Sequence, residues 1–170
     1  MLVQVLDDPR LHISSADRNA KNAALREVYQ VVERSTKAYN RLKEAEKTLS
    51  LVESQFVNVP DSTKKEALKL GAALKDSIAN LKDQFFQHKE EKGIKRGADN
   101  LNAKLYNALG YIGGNMGAPN STTKTAMATA KTASDTLINN INTLLEAPWN
   151  NYRAKVEAIQ YALFKDFERL

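Results

Sequence analysis

The chain has no cysteine, so no disulfide contributes to its stability and no thiol is available as nucleophile or metal ligand. That absence fits an exported bacterial protein and a cytosolic one equally. Only two histidines and one tryptophan occur among 170 residues, and proline and glycine number 4 and 7. No run of about 18 apolar residues exists, so no segment reads as a membrane-spanning helix. No stretch reads as a secretory signal either, and in a longer protein a targeting segment would lie upstream. The formal charge of +5 is mild for this length. Basic and acidic residues are interleaved, as in Lys43, Glu44, Glu46 and Lys47, the pattern of a solvated helix face. The densest positive stretch, residues 89–96, is interrupted by Glu90 and Glu91, whereas a nucleic-acid surface would be more strongly basic. A nucleic-acid surface is therefore not expected.

What the chain does have is helical periodicity. Apolar or small residues recur at Leu25, Val28, Val32, Ser35, Tyr39, Leu42, Leu49, Val52 and Phe56, in steps mostly of three and four with one beat skipped at Glu46. Ser14 and Asp17 form an S-x-x-D start, which predicts a first helix from Ser14 or Ser15 to about Ser54. A short loop through Pro60 leads to a second helix, capped by Asp61 or Ser62, with its seam on Ala67, Leu70, Gly71, Leu74, Ile78, Leu81 and Phe85. That helix is expected to reach about Lys92, antiparallel to the first, with Gly71 permitting close approach of a neighbour. A turn is expected between Gly93 and Gly97. A third helix carries Leu101, Leu105, Leu109 and Ile112 with Tyr106 beside them, and Gly113 and Gly114 signal its end. A fourth begins near Ser121 or Thr122. Its first half is narrow, with Ala126, Ala130, Ala133 and Ser134, and Leu137, Ile138, Ile141, Leu144 and Leu145 thicken the second. The pattern then continues in phase through Pro148, Tyr152, Val156, Ile159, Leu163 and Phe167, either as a kinked helix or as a tight break that keeps one face inward.

The first residues differ. Leu2-Val3-Gln4-Val5-Leu6 is short, apolar and β-prone, and Asp7-Asp8-Pro9-Arg10 breaks it. A lone strand needs a sheet to pair with. Residues 1–13 are therefore expected to be an extended exit segment from an upstream β domain, the alternative being a disordered N-terminus, and residues 14–170 a helical bundle. The expected fold is all-α, an antiparallel up-down four-helix-type bundle with a long first helix and a last helix kinked or broken near Pro148.

Chemistry is hard to find in these residues. His12 has no ligand-like neighbour, and His88 with Glu91 forms a single H-x-x-E step, the reverse of the Glu-x-x-His used by di-metal bundles. There is no G-x-S-x-G elbow and no phosphate-binding G-x-x-x-x-G-K-[ST] spacing. Adjacent acids such as Glu90-Glu91 and Asp7-Asp8 make no cleft. Asn120-Ser121-Thr122 matches a glycosylation tripeptide of a kind that arises often by chance. No catalytic residue, cofactor, metal or small-molecule ligand is expected. The aromatic residues mostly fall near seams, and Trp149, Tyr152 and Tyr161 are the candidates for an exposed patch that docks another domain or protein.

Val5-Leu6-Asp7-Asp8-Pro9-Arg10 resembles the strand-to-helix exit of bacterial sortilin-like (BNR-repeat) β-propeller proteins, often described as glycosyl hydrolases. In that family a propeller and an immunoglobulin-like β domain precede a "D-P-R" element and a C-terminal helical bundle. The long helix from Ser14, the Leu101-Leu105-Tyr106 helix and the Gly117-Ala118-Pro119 restart are similar to it as well, so the likeness spans the whole chain in layout. Asn120 departs from the family, which more often has Thr after that proline. The resemblance implies a non-catalytic accessory module of a secreted, periplasmic or cell-surface protein, whose partners are the upstream β domains of the same polypeptide. The propeller's Asp-box motif does not occur here, so no active-site residue carries over. The alternative is a free-standing helical adaptor that binds another protein through an exposed apolar seam.

Overall fold

The computed structural model describes residues 13–86 and 99–159. The expected strand at residues 2–6, the turn at residues 93–97, His12, His88, Tyr161, Leu163 and Phe167 lie outside these. Four helices make up the described chain: α1 (Ser15–Gln55), α2 (Asp61–Phe85), α3 (Leu101–Gly114) and α4 (Ser121–Glu157), with a 3-10 turn at Phe56–Asn58. The fold is an all-α bundle with a long first helix.

Each helix starts and stops for local reasons. Ser14 caps α1, its Oγ accepting from the Asp17 amide at 3.0 Å and donating to the Asp17 carboxylate at 2.8 Å. Asn100 and Asn120 cap α3 and α4, accepting from the Ala103 and Thr123 amides, each at 2.9 Å. α2 differs from expectation. Pro60 holds the cap position without any side-chain bond, and Asp61 is the first helical residue, paired with Lys64 at 2.8 Å. α2 also ends earlier than expected. Phe86 takes extended backbone (φ −139°, ψ 131°), and its ring meets Tyr39 edge-on at 5.3 Å between centroids, a contact that a helical Phe86 would forgo. Gly113 and Gly114, the last residues of α3, do not stop it through left-handed backbone. Lys21 reaches across from α1 and donates to the Gly113 carbonyl at 3.3 Å and the Asn115 carbonyl at 2.6 Å, satisfying groups that the helix end leaves open.

The pairing of side chains fixes the layout. Glu53 pairs with Lys75 and Glu46 with Lys82, so α2 runs antiparallel to α1. Lys21, near the start of α1, holds the end of α3, while Leu101 at the start of α3 shares a pocket with Val32 and Tyr39. α3 therefore also runs antiparallel to α1 and continues the direction of α2. Ser35 meets Ser134, 99 positions on, and farther along Val52 shares a groove with Tyr152 and Val156, so α4 is parallel to α1. Four helices thus stand in three columns: α1, α2 followed by α3, and α4. Length explains it, because α2 and α3, with 25 and 14 residues, together match the 41 of α1 and bring the chain back to where α1 began.

The seams are regular. Ala24, Val28, Val31, Ser35, Ala38, Leu42, Ala45 and Leu49 are buried on α1, at alternating steps of four and three. The same alternation holds on α2 (Ala67, Gly71, Leu74, Ile78, Leu81, Phe85), on α3 (Leu101, Leu105, Ala108, Ile112) and on α4 from Ala130 to Leu144. A mean step of three and a half keeps one face on its neighbours along the whole length of two long helices. The centre of the α1 seam therefore lies one residue from several expected positions: Val31 rather than Val32, Ala38 rather than Tyr39, and Ala45 where a beat at Glu46 had seemed missing. Leu25, Val32, Tyr39 and Val52 flank it. Leu42 and Ile78 are fully buried, each contributing about 1.5–3 kcal/mol of transfer free energy.

α4 is continuous through Pro148. The ring is exposed, not on the seam, and because proline has no N–H the Leu144 carbonyl loses its usual helical donor. After Leu144 the inward positions are Leu145, Trp149, Tyr152, Val156 and Ile159, one residue out of phase with the first half. The inserted residue falls at the proline, which therefore sits where the packing register slips. A second, smaller cluster of Phe56, Val59, Ala67 and Ile159 closes that end of the bundle.

The one polar pair in the long seam lies between α1 and α4. Ser35 Oγ donates to the Val31 carbonyl at 2.7 Å, which commits its hydrogen, so Ser134 is the donor in the 2.8 Å contact between the two hydroxyls. The two removals are therefore unequal. Ser35→Ala strands the Ser134 hydroxyl in the core and should cost about 1–3 kcal/mol, whereas Ser134→Ala leaves Ser35 bonded to its own helix and should cost under about 1 kcal/mol. Urea denaturation of both and of the double variant checks this, and the double variant should be no less stable than Ser35→Ala alone.

Candidate functional site

Trp149 and Tyr152 come together at one end of α4, ring centroids 6.1 Å apart. Tyr152 is not part of an exposed patch. It is 4% exposed and packs over Gly71, where an added Cβ would stand 3.3 Å from Tyr152 Cε2. The sequence placed it correctly on the inward face but could not show that α2 has a glycine there to admit its ring. Trp149 is partly buried and lines, with Thr48, Val52, Arg153, Val156 and Glu157, a groove of about 340 Å³ between α1 and α4. Tyr161 lies outside the described residues. Among the described residues the exposed aromatic ones are others: Tyr29 (59%), Phe86 (41%), Tyr106 (69%) and Tyr111 (51%). Tyr106, expected beside the α3 seam, points to solvent because Ala108 takes the buried position.

A groove of about 500 Å³ runs between α2 and α4 and is lined by Leu70, Ala73, Leu74, Ser77, Leu144, Ala147, Pro148 and Asn151. None of these is charged, and the Ser77 hydroxyl is spent on the Ala73 carbonyl at 2.8 Å. α4 carries no charged side chain from Thr136 to Leu145. This is the face that sequence reasoning missed. Its signal in the sequence was this uncharged run, which does not stand out because residues 105–123 carry no charge either. A smaller recess of about 160 Å³ lies where α2 ends and α3 begins, walled by Tyr39, Phe85 and Phe86 with Val32, Leu101 and Leu105.

The acids are held as solvated partners of basic residues. Asp135 accepts from Lys131 at 2.9 Å and faces Arg34 at 3.1 Å, and these cations, the Lys131 hydrogen bond first, hold its carboxyl below the ordinary range. Glu33 and Asp61 are lowered in the same way by Lys37 and Lys64. A general acid needs the opposite shift, upward by burial. Among the described residues no cluster of acids or histidines could hold a metal ion, no helix is long and apolar enough to cross a membrane, and no buried side-chain nitrogen or oxygen lacks a partner. Asn120 of the glycosylation tripeptide is the cap of α4, its Oδ1 accepting from both the amide and the hydroxyl of buried Thr123. Comparison with protein-family models, curated proteins and solved structures finds no match.

Two tests follow from the Tyr152 site. Gly71→Leu forces side-chain atoms into the space of a buried ring and should destabilise the fold by about 1–3 kcal/mol, read as a lower denaturation midpoint. Burial, and secondarily the charge of Glu53, pushes the Tyr152 hydroxyl above the ordinary tyrosine value of about 10. The native state then holds that proton longer than the unfolded chain does, so stability is full below pH about 10 and falls as pH rises through the folded value. Lys82, raised chiefly by its hydrogen bond to Glu46, loses its contribution in the same alkaline direction. Tyr152→Phe should therefore flatten the alkaline fall of the melting temperature in part, and a profile identical to that of the parent protein would refute the assignment.

Proposed function

We propose that this chain is a non-catalytic helical module of a larger secreted, periplasmic or cell-surface protein of the sortilin-like β-propeller kind, and that it packs against other domains of the same polypeptide. One observation carries the contact role: the uncharged wall of α4 together with the apolar groove at Leu70, Ala73, Leu144, Ala147 and Pro148. Interface cores are depleted of charge, and reaction sites require convergent polar groups. The identity of the neighbouring domain rests on the resemblance at residues 5–10 and on the order of helices.

The test is hydrogen exchange on this chain alone and on the polypeptide encoded by its full reading frame. Residues 70–77 of α2 and 136–151 of α4 should gain protection in the longer protein. A reading frame with no propeller upstream, or unchanged exchange on that face, would overturn the proposal. Aryl-glycoside hydrolysis by the chain alone should stay at the buffer rate.

The same groove favours a second reading, a free-standing adaptor that takes a partner helix between α2 and α4. Ala73→Glu puts a charge on the groove wall at an exposed position. It should leave the circular dichroism spectrum unchanged and abolish capture of the partner under the adaptor reading.

A further inference from the structure

We draw no further inference here: the strongest candidate, the uncharged groove between α2 and α4 walled by Leu70, Ala73, Leu144, Ala147 and Pro148, is an unpartnered apolar face, and nothing in the structure shows what covers it.

Discussion

α1 and α4 lie side by side in parallel, joined by the touching hydroxyls of Ser35 and Ser134, and that contact fixes the axial register of the two longest helices. Close packing of two helices is favoured by small residues at the contact, and Ser35 and Ala38 are buried on α1 and Ala130 and Ser134 on α4. The third column supplies most of the large core side chains, Leu74, Ile78, Leu81 and Phe85 on α2, then Leu101, Leu105 and Ile112 on α3, and α4 approaches this column more extensively than it does α1. The serine pair adds specificity to this economy of size. A buried hydroxyl finds its partner in only one axial register, so a shift of α4 by one turn would lose the hydrogen bond as well as the fit.

A second constraint acts at the other end of α4. Its two halves follow seams that differ in phase by one residue, and the change falls at Pro148. The first half faces small residues of α1. The second half must carry Trp149 and Tyr152 inward, and Gly71 is the opening that accepts the latter. Proline at the slip costs a backbone hydrogen bond at a place where the ladder is already being rephased, and its exposed ring keeps the loss on the solvent side. Ion pairs across the columns, Glu46 with Lys82, Glu66 with Lys155 and Arg34 with Asp135, decorate this arrangement at the surface, where such pairs contribute at most about 1 kcal/mol each.

Much of this was legible before any coordinates. The described helices, the Ser14 cap, the α2 seam and the narrow first half of α4 all follow from residue spacing, whereas Gly71, expected to let a neighbouring helix approach, admits the Tyr152 ring. The displaced centre of the α1 seam was not, because Ala24, Ala38 and Ala45 weigh little in a hydrophobic pattern and are nonetheless the residues on which close helix contact depends. The direction of α3 was hidden too, since Asn100 and Leu101 mark a start but say nothing about orientation. Phe86 left the helix for a ring contact with Tyr39, a tertiary effect that overrides local propensity. At the candidate contact surface the aromatic residues drew notice and the bare stretch of α4 did not. Aromatic side chains are conspicuous in a sequence, and an uncharged run does not stand out where residues 105–123 carry no charge either.

Three columns, rather than an even number, have a mechanical consequence. The described chain enters beside the start of α1 and leaves beside its end, so the two points stand on the order of 60 Å apart along the bundle. A tension applied between them pulls α1 and α4 past each other lengthwise and loads every layer of the seam at once. In an even-columned bundle both ends would emerge together, and the same tension would peel helices apart one layer at a time. Along the described bundle such a load is spread over the seam from Ala24 to Tyr152.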